Sequence, residues 1–115
     1  MMLGNLGNLA QLLRQAKDVQ QKLGEVQRKL AAMKVEASAG GGMVTVIANG
    51  HQEILSVKID PAAVKADEVE LLEELVLAAV NAAKKKAEAL ARDEMTGLAR
   101  GLDLPEGFNL PGMTP

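Results

Sequence analysis

The chain has 115 residues, with 13 Lys and Arg against 15 Asp and Glu, one His, one aromatic side chain and no Cys. That length suits one domain, and the lack of Cys removes disulfides, thiolate metal sites and Cys nucleophiles while fitting a cytoplasmic setting. A lone His gives neither a zinc cluster nor a Ser–His–Asp triad, no apolar run approaches the roughly 18–20 residues that span a bilayer, and the first residues lack a secretion-signal pattern. The expectation is a non-membrane, non-enzymatic protein with no cofactor and no metal.

Residues 1–34 read as one long helix. Leu9, Leu12, Ala16, Val19, Leu23, Val26, Leu30 and Met33 are spaced alternately by three and four, which places them at the a and d positions of nearly four heptads. About 28 helical residues span about 42 Å, whereas a compact domain of this size has a radius of gyration near 13 Å. Such a helix outruns its own globule. Its apolar seam therefore calls for another long helix, from this chain or a second copy.

Between residues 35 and 60 the period changes to two. Val35, Ala37 and Ala39 alternate with polar or small residues, Gly40-Gly41-Gly42 supplies a turn, and Val44, Val46 and Ala48 share a face opposite Thr45 and Ile47. Asn49-Gly50 is a favoured pair for a two-residue type I′ hairpin. Leu55, Val57 and Ile59 then alternate with Ser56 and Lys58 until Asp60-Pro61 stops the strand. The result is a three-stranded antiparallel meander.

Asp67, with Glu70 three residues on, has the form of an N-cap, and residues 67–99 read as a second long helix. Its buried stripe is Val69, Leu72, Leu75, Val76, Ala79, Val80, Ala83, Ala87 and Leu90. Residues 100–115 are punctuated by Pro and Gly and read as an extended tail, with Leu102, Leu104, Phe108 and Leu110 as anchors. The whole is one α+β domain over 1–115.

Charge is uneven behind a net of −2: residues 1–34 carry six bases and two acids, while the other segments are each net acidic. Arg14 and Arg28 fall at f positions of the heptad and Lys17 at b, clear of the seam. A run of Lys84, Lys85 and Lys86 follows the acidic start of the second helix. Consecutive helical positions lie about 100° apart, so these three cannot face one groove together. Basic residues along exposed helices suit phosphate contacts. His51 reads as an exposed hairpin residue, and Glu68, Glu70, Glu73 and Glu74 as helix-start acids. Gly40–Gly42 lacks the Gly-Lys-Ser/Thr of a phosphate loop. A single Phe offers no platform for stacking single-stranded bases.

The order of elements, with Leu3-Gly4-Asn5-Leu6, Gly41-Gly42-Met43-Val44-Thr45-Val46, Asn49-Gly50, Ile59-Asp60-Pro61, Leu72-Glu73-Glu74-Leu75-Val76, Ala79-Val80-Asn81-Ala82-Ala83 and Leu104-Pro105-Glu106-Gly107-Phe108, resembles the YbaB/EbfC family of bacterial nucleoid-associated proteins. The resemblance implies an α-β-β-β-α homodimer with long helices projecting like the arms of tweezers. It further implies double-stranded DNA as ligand, a nucleoid location, roles in nucleoid organisation, gene regulation or DNA repair, and replication or recombination proteins as partners. No catalytic activity or cofactor belongs to it. The DNA contacts it implies come from the first and last helices, which on this chain gives Arg14, Lys17, Arg28, Lys84, Lys85, Lys86 and Arg92. A different class of function, a scaffold that captures a partner protein through the helical seam, is separated from DNA binding by whether that seam is covered.

Overall fold

A computed structural model describes residues 2–101, with side chains from residue 7 onward; the tail expected at 102–115 lies outside the described residues. In chain order the elements are α1 (Met2–Ala32), β1 (Lys34–Ala39), β2 (Val44–Asn49), β3 (Ile54–Ile59), a 3-10 turn (Pro61–Ala63) and α2 (Val69–Gly101). This is the α-β-β-β-α order and α+β class expected. Lys34 belongs to β1 rather than to the first helix, because its partner Asn49 begins the pairing with β2 there.

The sheet is antiparallel in the order β1-β2-β3. Ala37 pairs with Val46 and Val46 with Val57, so one face collects Ala37, Val44, Val46 and Ala48. All four are buried, and Ala79 and Ala83 of α2 pack onto them with no exposed surface of their own. Small side chains at i and i+4 let the helix backbone settle close to the sheet, and a larger residue there would hold it off. Met43 and the three glycines make the β1–β2 turn, with φ of +65°, +67° and +95° at Gly40, Gly41 and Gly42. At Gly40 a Cβ would also lie 2.9 Å from a Leu75 methyl, so that turn closes against α2.

Two local details differ from the sequence expectation. The β2–β3 connection is four residues long, and the left-handed residue is Gln52 (φ 63°), not Asn49 or Gly50. Asn49 ends β2, is buried, and its Oδ1 accepts from the N–H groups of His51 and Glu53 (2.9 and 3.1 Å). The side chain thus organises the turn itself. Gly50 is needed instead for a close approach: its N–H donates to the Leu30 carbonyl at 2.8 Å, and a Cβ would stand 2.7 Å from that same oxygen. At the start of α2 the first helical bond runs from Leu72 N–H to Glu68 C=O, which makes Glu68, not Asp67, the capping position.

Past the sheet, α2 runs antiparallel to α1. Lys29 Nζ meets Glu94 Oε2 at 3.0 Å, and farther along, Met95 and Leu98 bury themselves among Val19, Leu23, Val26 and Ala99. On the other flank of α1, His51 Nε2 lies 2.9 Å from the Gln27 carbonyl. The C-terminal half of α1 is therefore wedged between α2 and the β2–β3 turn. Its N-terminal half carries on past the end of α2 as an arm, and the molecule measures 79 × 23 × 17 Å.

Candidate nucleic-acid interface

The helix α1 presents two unlike faces. From Val19 to Leu30 its a and d residues turn toward α2 and the hairpin, while f and b positions, about 130° or more away around the helix at 100° per residue, turn outward. Arg14, Lys17 and Arg28 occupy that outward side and are all exposed. Among the described residues none of the three has an ion-pair partner. Lys22 and Lys29, at g positions beside the seam, are paired instead with Asp18 (3.8 Å) and Glu94 (3.0 Å). Heptad position thus separates the cations beside the seam, Lys29 tied to α2 and Lys22 loosely to Asp18 of its own helix, from those directed at solvent.

On α2 the run Lys84, Lys85 and Lys86 is exposed, with Lys85 opposite the alanine stripe and Lys84 and Lys86 on its two flanks. Lys86 Nζ donates to the Glu36 carbonyl at 2.7 Å, so it leans across the edge strand β1 and ties helix to sheet. Lys84 and Lys85 have no ion pair among the described residues. Arg92 is held by Glu88 at 3.3 Å, an exposed i,i+4 pair that is cheap to break. The seven residues do not form one cluster. Taking Lys29 and Glu94 as level, Lys84 lies about 15 Å to one side and Arg14 about 22 Å to the other, so the cations are strung along about 37 Å of the long axis.

The sequence reading passed over Arg100. It stands in the last turn of α2, where the arm begins to project, and has no ion pair among the described residues. A base in a final helical turn is routinely explained by the helix dipole, and only the antiparallel course of α2 brings it to the end of the globule from which the arm projects.

A second exposed surface is apolar. Helix α2 covers β1 and β2 but leaves β3 uncovered, with Leu55 and Val57 48% and 45% exposed. Between Ile59 and the helix runs a groove of about 430 Å³, lined by Val69, Leu72, Val76, Leu77 and Val80, with Glu73 at its edge. Among the described residues no group of three His, Cys, Asp or Glu could hold a metal ion, and no helix is long and apolar enough to cross a membrane.

The model of the YbaB/EbfC DNA-binding family matches residues 5–102. The chain belongs to that family. A nucleoid-associated protein of Agrobacterium fabrum is 48% identical over 100 residues, covering 87% of this chain and 94% of that protein. One from Granulibacter bethesdensis is 48% identical over 104 residues, covering 90% and 97%. The fold is shared with a solved structure from Helicobacter pylori, the uncharacterized protein HP0035, at a TM-score of 0.70 and 21% identity over 77% of this chain and 94% of that one.

Proposed function

We propose that the protein binds double-stranded DNA as a homodimer, mainly through phosphate contacts, and serves nucleoid organisation in the bacterial cytoplasm. The observation that carries this reading is the sorting of α1: Arg14, Lys17 and Arg28 are the cations left without ion pairs among the described residues, on the outward side of a helix that extends past the globule. Lys84 and Lys85 extend the same series, Arg92 joins it on release from Glu88, and Lys86 has the weakest claim because β1 already holds it. A span of about 37 Å is close to one turn of duplex, about 34–36 Å. The family's membership in DNA binding and the naming of its relatives as nucleoid-associated support the ligand and the location. Roles in gene regulation or DNA repair, with replication or recombination proteins as partners, belong to the same reading.

The uncovered strand β3 and the apolar groove beside it support the homodimer. A free sheet edge next to exposed Ile54, Val57 and Leu77 favours a self-complementary contact with a second copy. A Leu77→Glu variant is expected to shift the mass seen by light scattering from dimer to monomer.

The rival reading, a scaffold that captures another protein, draws on one observation: Leu9, Leu12 and Leu13 of the arm are more than half exposed. A mobility-shift titration on a random duplex and a random single strand separates the two. If each dimer neutralises four to six phosphates, log affinity for duplex falls against log salt with a slope of about −4 to −5. Absence of duplex binding at low salt overturns the DNA reading in favour of the scaffold. The protein has no Trp or Tyr, so its concentration must come from peptide absorbance.

A further inference from the structure

Asn49 is the one Asn of the chain that is followed by Gly, and that pair carries its own chemistry. The Gly50 nitrogen can attack Asn49 Cγ, closing a succinimide ring and expelling ammonia; water then opens the ring to Asp or isoaspartate. The net change is amide and water to carboxylate and ammonium, with no other reactant. Gly favours ring closure because the attacking nitrogen belongs to a residue with no Cβ in the way.

The fold holds both reacting groups. Asn49 is 4% exposed, its Oδ1 accepts from the N–H groups of His51 (2.9 Å) and Glu53 (3.1 Å), and its Nδ2 donates to Glu53 Oε1 at 2.9 Å. The two N–H groups on Oδ1 stabilise the negative charge it gains when Cγ is attacked, so the electrophile is prepared. The block lies on the nucleophile. Gly50 is buried, and its N–H donates to the Leu30 carbonyl at 2.8 Å. The nitrogen attacks only after losing that proton, and a carbonyl oxygen is no base to receive it.

We propose that Asn49 is a deamidation site gated by α1, closed while the β2–β3 turn grips the helix at Leu30 and open whenever the base of the helix lifts away. Lifting exposes the Gly50 N–H to water, where hydroxide can take its proton. The reaction then makes the release permanent. In the Asp product a carboxylate oxygen replaces Nδ2 and faces Glu53 Oε1, where a donor stood 2.9 Å away. Acceptor meets acceptor, and a negative charge is set in a buried position beside another. The isoaspartate product routes the main chain through the former side-chain carbon. Gly50 then loses its approach to the Leu30 carbonyl, a contact so close that a Cβ on Gly50 would stand 2.7 Å from that oxygen. Because this grip fixes the base of α1, the modification also frees the arm that the base carries.

Peptide mass spectrometry on the full-length protein, aged in mildly alkaline buffer, follows conversion of amide to acid at Asn49. Folded protein is expected to convert about tenfold or more slowly than protein unfolded in urea. His51→Ala removes the ring that meets the Gln27 carbonyl but keeps the backbone N–H on Asn49 Oδ1. It is expected to stay folded and to convert about threefold or more faster than the wild type. Equal rates in folded and unfolded protein overturn the proposal. Equal rates in wild type and His51→Ala overturn gating by α1, since burial alone would then set the rate. The release is read on the product: Asn49→Asp is expected to speed amide hydrogen exchange at Gly50 about tenfold or more, and added Glu53→Gln, which offers a donor to the new carboxylate, to reverse most of that gain. The deamidated fraction of aged wild type, separated by anion exchange, gives the same reading without a variant. Exchange as slow as in unmodified protein overturns the release, and no recovery with Glu53→Gln overturns its basis in the facing carboxylates. None of these readouts involves DNA, so the inference stands or falls apart from the DNA reading.

Discussion

Leu12 and Leu30 both lie on the apolar seam of one helix, at a d and an a position, yet Leu12 is 60% exposed and Leu30 is 2% exposed. Around Leu30 the helix is gripped from two sides, by the β2–β3 turn, with Gly50 on its carbonyl and His51 on the Gln27 carbonyl, and by α2, with Glu94 on Lys29. Around Leu12 no such partner stands among the described residues. A heptad repeat therefore states that a helix needs cover along one stripe. Which neighbour supplies it, and how far along, depends on the length and direction of the other elements. The base of α1 is an ordinary core contact, and the arm is a lever whose position the base fixes.

The sharpest way to break that comparison is to cut the same number of atoms from both ends. Leu30→Ala is expected to destabilise the protein by about 2–5 kcal/mol, the usual cost of a cavity at a closed site. Leu12→Ala is expected to cost about 1 kcal/mol or less, as for sites without a closed cavity. Urea unfolding followed by helical circular dichroism, at one protein concentration for all variants, measures both. Equal losses would show that the arm is as closely packed as the base.

Gly50→Ala probes the grip itself. The new methyl would stand 2.7 Å from the Leu30 carbonyl, a backbone atom that cannot swing aside, so the turn must retreat from the helix. The expected cost is about 1–3 kcal/mol, in the range of other overpacked sites. Gly7→Ala on the arm, with nothing within 4 Å of the added carbon, is expected to leave stability the same or slightly higher.

On the DNA side the comparison shifts, because the arm contributes Arg14 and Lys17 to the expected interface and the base of α1 contributes Arg28. Arg14→Ala with Lys17→Ala is expected to weaken duplex binding about tenfold or more across all sequences, and to flatten the salt slope by about 2 per protomer, with unfolding unchanged. Unaltered affinity would remove the arm from the interface even if the protein still bound DNA.

Much of this was legible in the sequence because it depends on period alone. The switch from three-and-four spacing to strict alternation located the helices and strands, and Val44, Val46 and Ala48 face α2 as alternation requires. The Asn49-Gly50 turn was misread for a physical reason: Asn49 spends its side chain on the backbone of His51 and Glu53, and Gly50 on proximity to Leu30, a tertiary contact to which turn rules are blind. The exposed Lys84 and Lys85 and the strand-bound Lys86 are consecutive and identical in type, and only the packing of α2 across β1 tells them apart. Arg100 escapes the sequence pattern for the converse reason, since its place at the end of the globule from which the arm projects arises from the antiparallel course of α2.

The smallest expected effect tests whether the base positions the arm by charge or by packing. Lys29 and Glu94 are 3.0 Å apart, with the Lys side chain 58% exposed and the Glu 22%. Solvent screens so exposed a pair, and a double-mutant cycle of Lys29→Met and Glu94→Gln is expected to give a coupling of about 0–1 kcal/mol. Met keeps the apolar stem that Lys lays along the helix, so packing against α2 survives while the charge is lost. If the cycle gives the small coupling and duplex affinity is unchanged, the arm is aimed by Leu30, Met95 and Leu98. A coupling well above 1 kcal/mol, or a drop in affinity from Glu94→Gln alone, would mean that an ion pair sets the angle of the lever. Arm geometry and DNA binding would then respond to salt through two routes, and the slope of affinity against salt would no longer count phosphate contacts alone.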